Sequence, residues 1–247
     1  MLIKEPAALK AALGENPKRC YNQKKASPMT RMATAALLRE AFYKARAYGE
    51  KKNAAGAGGE APELDMGMEC LLEVLRGELP LKIHCHRADD IQTAIRIAEE
   101  FGISYTLDHC TEGYMMTDVL KAHNARCILG PILIGRPKIE MKNLSYSGAA
   151  VLERAGIEFA LSTDHPETPV QLLNVSAAYL VRNGLSEEAA LRAMTVNAAR
   201  ITGLDGRIGA VKEGLDADIV VFDGHPLDVR AKVLMTVING RVVYGGL

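Results

Sequence analysis

Apolar and polar positions along the chain repeat in an order typical of strands followed by helices. Three short apolar segments, residues 81–86, 104–109 and 159–165, each finish in histidine or aspartate. Between the first two, residues 88–101 place apolar side chains three and four positions apart, which is the spacing of one helix face. Neighbouring parallel strands need a crossover connection, so these repeated strand and helix units predict a parallel sheet.

The rest of the first 205 residues follows the same order. An apolar run at residues 7–13 fits a strand or a helix equally, and it stops at Gly14-Glu15-Asn16-Pro17. The polar, basic residues 18–28 predict a loop. The small residues 53–59, with the acidic, proline-containing residues 60–63 after them, predict a flexible surface loop or hinge. Residues 126–134 form another apolar run. Amphipathic segments predict further helices at residues 30–48, 65–76, 117–125, 147–155, 170–183 and 186–204.

The character of the sequence changes at Gly206. Residues 207–214 predict a strand and a turn, and the β-branched residues 217–222 predict a strand. Residues 233–244 predict a hairpin around Asn239-Gly240, because Asn-Gly suits a type I′ turn. A segment of this length buries little surface by itself, so it must pack on something else. The predicted organisation is a domain with a parallel sheet over residues 1–205 and a small antiparallel segment over residues 206–247.

Composition narrows the class of protein. The chain has 247 residues, 48% of them hydrophobic, and its 30 basic and 30 acidic residues give a formal net charge of zero. The sequence contains no basic stripe with interleaved aromatic residues, so it does not predict binding to nucleic acid. No apolar run reaches the roughly 18–20 residues that cross a bilayer, and residues 1–6 lack the apolar core of a signal peptide. These features predict a cytoplasmic protein that binds neither nucleic acid nor membranes.

The cysteines predict no disulfide framework. There are five, an odd number, at irregular spacings, which fits a reducing compartment. Cys85 and Cys110 directly follow His84 and His109, and adjacent side chains of a strand point to opposite faces. Both thiols are therefore predicted to be buried on the face away from the histidines.

The candidate chemistry lies where the apolar runs end. The carboxyl ends of parallel strands meet at one rim of a sheet, so His84, His109 and Asp164 are expected to converge there. Two imidazoles and a carboxylate suit a divalent transition metal, and zinc is the first choice. Such a metal would acidify a bound water, and Asp164 would take up a proton and pass it to the leaving group.

Three more residues join this hypothesis. His86 shares the strand face of His84 and is predicted to contact substrate or to be a further ligand. His165 is also predicted to contact substrate, and Glu15, just past the first apolar run, is predicted to ligate the metal. Each signal alone has a structural alternative, since single histidines commonly make structural hydrogen bonds and Asp164-His165-Pro166 fits a simple turn. The joint placement of these residues at strand ends is what favours a metal site.

At these residues the chain resembles the metal-dependent amidohydrolase superfamily, in particular its imidazolonepropionase-like branch. The resemblance extends from about Leu9 onward and depends on a combination of motifs rather than on one of them. The motifs are Gly14-Glu15-Asn16-Pro17-Lys18, Ile83-His84-Cys85-His86-Arg87-Ala88-Asp89-Asp90, Leu107-Asp108-His109-Cys110-Thr111-Glu112-Gly113, Ser162-Thr163-Asp164-His165-Pro166, Thr195-Val196-Asn197-Ala198-Ala199-Arg200 and Gly209-Ala210-Val211-Lys212-Glu213-Gly214-Leu215-Asp216-Ala217-Asp218-Ile219-Val220.

The resemblance implies a (β/α)₈ barrel that hydrolyses carbon–nitrogen bonds other than peptide bonds, of the cyclic amide type, in a small-molecule substrate. It places His84 and His109 as metal ligands at the ends of the fifth and sixth barrel strands. It places Asp164 at the end of the eighth strand, as ligand and proton shuttle, and Glu15 at the fourth. The fold expected from it is α/β, an incomplete TIM barrel of about strands 4 to 8 followed by part of a composite β-sandwich.

The chain also departs from the family pattern. No His-x-His pair precedes His84, and the family's first three strands have no counterpart here. We therefore expect a truncated chain that is weakly active or inactive alone. The alternative is a catalytically dead amidohydrolase-like domain whose partner supplies the missing strands. Open strand edges predict a homo-oligomer or such a partner. A nucleotide-binding doubly wound fold is disfavoured, because no Gly-rich loop follows a strand.

Overall fold

A computed structural model describes residues 3–56 and 59–245 and divides the chain into two compact units, one up to Cys110 and one from Thr111 onward. The prediction for residues 1–6 and that for the loop at residues 53–59 fall partly outside the described residues. The domain boundary at residue 206 stays a prediction. No helix among the described residues combines the length and the apolar character needed to cross a membrane.

The described residues of the first unit form three parallel strands and four helices. The strands are β1 (Leu9–Ala12), β2 (Leu81–Cys85) and β3 (Tyr105–His109), and the helices are α1 (Glu15–Gln23), α2 (Arg31–Gly56), α3 (Met66–Leu75) and α4 (Ala88–Phe101). Strand β2 pairs in parallel with both other strands, which places Ala12 beside His84 and Cys85 beside His109. The predicted parallel pairing is confirmed.

Packing in the first unit follows the predicted periodicity. Helix α4 covers the predicted residues and buries Ile91, Ala94, Ile95, Ile97 and Ala98 on one side. It ends at Gly102, whose φ of 66° is the left-handed conformation expected of a C-cap glycine. The Phe42 ring of α2 is fully buried, with its centroid 5.1 Å from that of Phe101. Helices α2 and α4 therefore share one apolar core.

Two loop predictions in this unit were wrong in part. Residues 18–23 are helical, because α1 begins at Glu15 and Pro17 lies in its first turn, where no backbone N–H is required. Helix α2 continues to Gly56, into the predicted hinge. Its extension contacts α3, since the Tyr48 hydroxyl and Lys52 Nζ both donate to Glu69 Oε1 at 2.6 Å. This tertiary contact favours helix over the flexible loop that the small residues predict.

The second unit contains a parallel strand pair, five helices and a three-stranded antiparallel sheet. Strands β4 and β5 are parallel. Strands β6, β7 and β8 are antiparallel, and Asn239 and Gly240 connect β7 to β8 with φ of 50° and 74°, as a type I′ turn requires. The elements are α5 (Thr117–Ala122), β4 (Cys127–Leu129), α6 (Gly148–Arg154), β5 (Phe159–Leu161), α7 (Leu173–Arg182), α8 (Glu187–Met194), α9 (Val196–Thr202), β6 (Ile219–Phe222), β7 (Val233–Ile238) and β8 (Arg241–Gly245). The predicted fold class, α/β with a small antiparallel segment, is confirmed.

Two details of this unit differ from expectation. The helix predicted over residues 186–204 is two helices, broken at Thr195 with φ −126° and ψ −93°. The strand predicted within residues 207–214 is absent, and these residues form turns and bends. Gly209 has φ of 103°, and a Cβ there would lie 2.6 Å from the Ala199 Cβ. The close approach of this segment to α9 therefore prevents an extended conformation.

We expect Gly130→Ala to lower the free energy of unfolding by at least about 3 kcal/mol. Gly130 follows β4 with φ of 132°, and a Cβ there would lie 1.8 Å from the Ser162 backbone oxygen. Either this backbone or the neighbouring strand end would have to move. The measurement is a urea unfolding curve followed by circular dichroism.

The matched control is Gly135→Ala, because a Cβ at Gly135 meets nothing within 4 Å. That variant should unfold within about 0.5 kcal/mol of the wild type. Equal midpoints for the Gly130 and Gly135 variants would contradict the steric argument.

Candidate metal centre

Three histidines come together at the carboxyl ends of two neighbouring strands of the first unit. His84 lies in β2, His86 follows its end, and His109 is the last residue of β3. Their ring centroids are 4.8 Å apart for His84 and His86, 4.5 Å for His84 and His109, and 4.7 Å for His86 and His109. Each residue is at most 8% exposed. One potential ligand atom from each lies within 4.8 Å of the others, so we call these residues the histidine cluster.

The position of His109 depends on a local break in strand geometry. In the register of β2 and β3, Asp108 is the partner of His84, whereas His109 is the partner of Cys85. Regular alternation would therefore put His109 on the face opposite to His84. The φ of His109 is 69° and that of Cys110 is 44°, both in the left-handed region that costs a residue with a side chain about 1–2 kcal/mol. This backbone turn brings the His109 ring to His84.

The predicted burial of the two cysteines is confirmed. Cys85 and Cys110 are free thiols that are 1% and 2% exposed. Among the described residues, the group able to hold a metal contains only histidines, so neither thiol belongs to it. Both cysteines serve the packing of the first unit.

Helix α1 contributes a residue that sequence reasoning did not single out. Asn16 Nδ2 lies 3.2 Å from His84 Nε2. Glu15, the predicted ligand, is the first residue of the same helix, and its role as a ligand stays a prediction. The signal that could have identified Asn16 is its place in the motif Gly14-Glu15-Asn16-Pro17, immediately after the strand that pairs with β2.

A polar layer lies on the sheet face that carries His84. The buried Asp108 carboxylate pairs through Oδ2 with Lys10 Nζ and, at 3.6 Å, with Lys82 Nζ. Within the described part of the chain, Asp108 Oδ1 has no hydrogen-bond partner. Each of β1, β2 and β3 supplies one member of these ion pairs, which offset the cost of burying the carboxylate and hold the three strands in register.

The predicted residues Asp164 and His165 lie in the second unit, directly after β5. Asp164 has φ of 51°; its N–H donates to Ser162 Oγ at 3.1 Å, and its carbonyl oxygen accepts from Glu167 N at 2.9 Å. His165 Nδ1 accepts from Val170 N at 3.3 Å. Both residues are exposed. The position of Asp164 at a strand end is as expected, and the roles of both residues stay predictions.

Other residues of the motifs support the structure. Asp90 is 3% exposed and accepts from Arg31 Nε through both carboxylate oxygens, at 3.1 and 3.0 Å, which ties α4 to α2. In the second unit, Glu112 Oε1 accepts from Asn143 Nδ2 at 2.8 Å, and the Tyr114 hydroxyl donates to the Asn143 backbone oxygen at 3.0 Å. Burial raises the pKa of Tyr114 above its ordinary value, and the Glu112 carboxylate raises it further.

The histidine cluster fits a divalent transition metal. Zinc binds imidazole nitrogen at about 2.0–2.1 Å, so small rotations of side chains whose ligand atoms already lie within 4.8 Å would suffice. The donors are neutral nitrogen ligands of the kind that zinc, iron and related ions accept. Three protein ligands are also the number that leaves a coordination position for water or substrate in catalytic zinc sites. His84, His86 and His109 are thus the residues that would hold the ion.

Comparison with known proteins supports the same class. A sequence profile described as the amidohydrolase family matches residues 69–244. The amidohydrolase tasK of Hapsidospora irregularis is 29% identical over 257 residues, covering 96% of this chain and 25% of its own length. An imidazolonepropionase of Maricaulis maris is 29% identical over 171 residues, covering 68% of this chain and 41% of its own length.

The similar solved structures include amidohydrolases, as the sequence relatives do. The crystal structure of an amidohydrolase from Thermotoga maritima MSB8 superimposes with a TM-score of 0.96 at 44% identity, covering 99% of this chain and 64% of that one. A second amidohydrolase structure, with a TM-score of 0.57 at 17% identity, shows likeness of fold alone. The chain covers 25% of tasK, 41% of the imidazolonepropionase and 64% of the Thermotoga maritima amidohydrolase. This partial coverage is consistent with part of a barrel. From the matched profile over residues 69–244, the chain belongs to the amidohydrolase family.

Proposed function

We propose that this protein is a metal-dependent hydrolase of carbon–nitrogen bonds other than peptide bonds, with cyclic amides as its class of substrate. The observation that carries the proposal is the histidine cluster, which places three buried imidazoles at strand ends in a chain of the amidohydrolase family. The similarity to an imidazolonepropionase supports the cyclic amide type. The neutral net charge fits a small-molecule substrate rather than a nucleic acid.

Zinc is the proposed metal, held by His84, His86 and His109. A divalent ion bound there would supply Lewis acidity toward water or a carbonyl oxygen. The residues of the cluster are at most 8% exposed, and charges interact more strongly in such a water-poor setting. Glu15, at the start of α1, is proposed as a further oxygen ligand.

Asp164 is proposed to hold and transfer the proton that water loses when it attacks the carbonyl carbon. A carboxylate accepts this proton and delivers it to the leaving nitrogen, so that the carbon–nitrogen bond breaks without forming a free amide anion. The support for this role is its place in Ser162-Thr163-Asp164-His165-Pro166, directly after β5. His165 and His86 are proposed to orient the substrate, with His86 also in the metal site. A cytoplasmic location is part of the proposal.

The proposal is tested on the purified 247-residue chain. Metal content is measured by mass spectrometry, and hydrolysis is assayed on hydantoins, imidazolones, dihydropyrimidines and lactams with added zinc, iron or manganese. About one bound ion per chain and chelator-sensitive turnover are expected. Turnover is expected to be slow, because no His-x-His pair precedes His84 in the 247 residues tested.

The outcomes separate the two candidate functions. Hydrolysis that stops with chelator and returns with metal supports the enzyme. Full metal loading without turnover of any substrate favours a catalytically dead domain that acts through a partner. A chain that takes up no metal would exclude the metal centre itself.

A further inference from the structure

The contact between Asn16 and the histidine cluster is held in place by backbone hydrogen bonding. The end of β1 pairs with β2 so that Ala12 lies beside His84. The next residue, Leu13, donates its backbone N–H to the His84 carbonyl oxygen at 2.9 Å. Helix α1 begins two residues later, and Asn16 Nδ2 then lies 3.2 Å from His84 Nε2. The amide is therefore directed at the imidazole by two connections to the same strand.

The contact with Asn16 also bears on whether His84 Nε2 carries a lone pair or a proton. An amide nitrogen donates and does not accept, so the Asn16 amide can donate only to the His84 tautomer that has its lone pair on Nε2 and its ring proton on Nδ1. A metal ion binds an imidazole nitrogen through the same lone pair. The amide and a metal ion would therefore compete for one atom.

We propose that His84 would bind the metal through the lone pair of Nε2. In the metal-free chain, the Asn16 amide donates a hydrogen bond to this lone pair, and metal binding displaces the amide. The released amide then donates to the carbonyl oxygen of the substrate. That oxygen gains negative charge as water adds to the carbonyl carbon, and a fixed N–H donor there stabilises the charge. The second part rests on the proposed hydrolase function; the competition for His84 does not.

The first test measures zinc affinity by competition with a chromogenic chelator. Asn16→Ala removes the competing donor and should bind zinc about three- to tenfold more tightly than the wild type, the size of one ordinary hydrogen bond. The matched control is Asn22→Ala, an exposed position of the same helix, which should leave zinc affinity unchanged.

The second readout needs no metal. Nitrogen-15 NMR of the imidazoles in the metal-free chain should show His84 protonated at Nδ1, and Asn16→Ala should shift this ring toward the Nε2 tautomer. In the hydrolysis assay, the same variant should lose at least about tenfold in kcat while its zinc affinity rises. A residue with only a structural role would not move these two quantities in opposite directions.

Each outcome has a defined meaning. An Asn16→Ala variant that binds zinc as well as the wild type or more weakly, or a wild-type His84 protonated at Nε2, overturns the competition. Tighter zinc binding without hydrolysis of any cyclic amide supports the competition and overturns the proposed function. Failure of the wild type to bind zinc overturns both.

Discussion

Replacing His109 with alanine is expected to weaken zinc binding by about 100-fold or more, which corresponds to about 2.7 kcal/mol. One of the three imidazoles that cluster among the described residues is removed, and the remaining two cannot enclose an ion without further ligands. Zinc competition with a chromogenic chelator measures the change. His109→Asn should show a similar loss, and it is the better test because asparagine tolerates the left-handed φ of 69° at this position.

The control for this prediction is His123→Ala. His123 is exposed at the end of α5, outside the histidine cluster, so this variant should bind zinc as the wild type does. Unchanged zinc affinity in both His109 variants would show that the cluster is a packing arrangement of aromatic rings. Circular dichroism on all the variants separates loss of the ligand from loss of the fold.

Asp164→Asn is expected to lower kcat by about 10²- to 10⁴-fold, the usual contribution of a positioned acid or base. An amide cannot take up the proton that the proposed hydrolysis releases from water. The substitution should preserve the local structure, because asparagine accepts the φ of 51° found at this position. The measurement is kcat with the most reactive cyclic amide at saturating zinc.

Glu167→Gln provides the matched comparison. It is the same change from acid to amide in the same exposed loop, and the contact of Glu167 with Asp164 runs through backbone atoms. This variant should keep ordinary turnover. If Asp164→Asn also turned over normally, the proton would have to be carried by another group.

Much of the fold could be predicted because its signals are local. Helix α4 occupies the predicted residues 88–101, since the periodicity of its apolar side chains and its C-cap glycine agree. The Asn239-Gly240 hairpin follows from the preference of those residues for positive φ. The errors arose where packing overrode composition, as in the extension of α2 along Glu69 and in the turn at Gly209.

Some features of the candidate site could likewise be predicted from the sequence, whereas others required the structure. The positions of His84 and His109 at strand ends could be read from the order of residues. Alternation alone would have left the two on opposite faces, because the register pairs His109 with Cys85. The contact of Asn16 with His84 depends on the pairing of β1 with β2, which links residues far apart in sequence.

The sequence by itself determined the order of strands and helices, the residue types available for a metal and the family to which the chain belongs. Those properties depend on periodicity, turn preferences and motifs, all of which lie within short stretches of chain. Only the tertiary structure decided which histidines meet, that His109 turns through a left-handed backbone to reach His84, and that the Asn16 amide contacts His84 Nε2. The physical reason is that these contacts depend on strand register and on single backbone angles, which are set by the packing of distant segments.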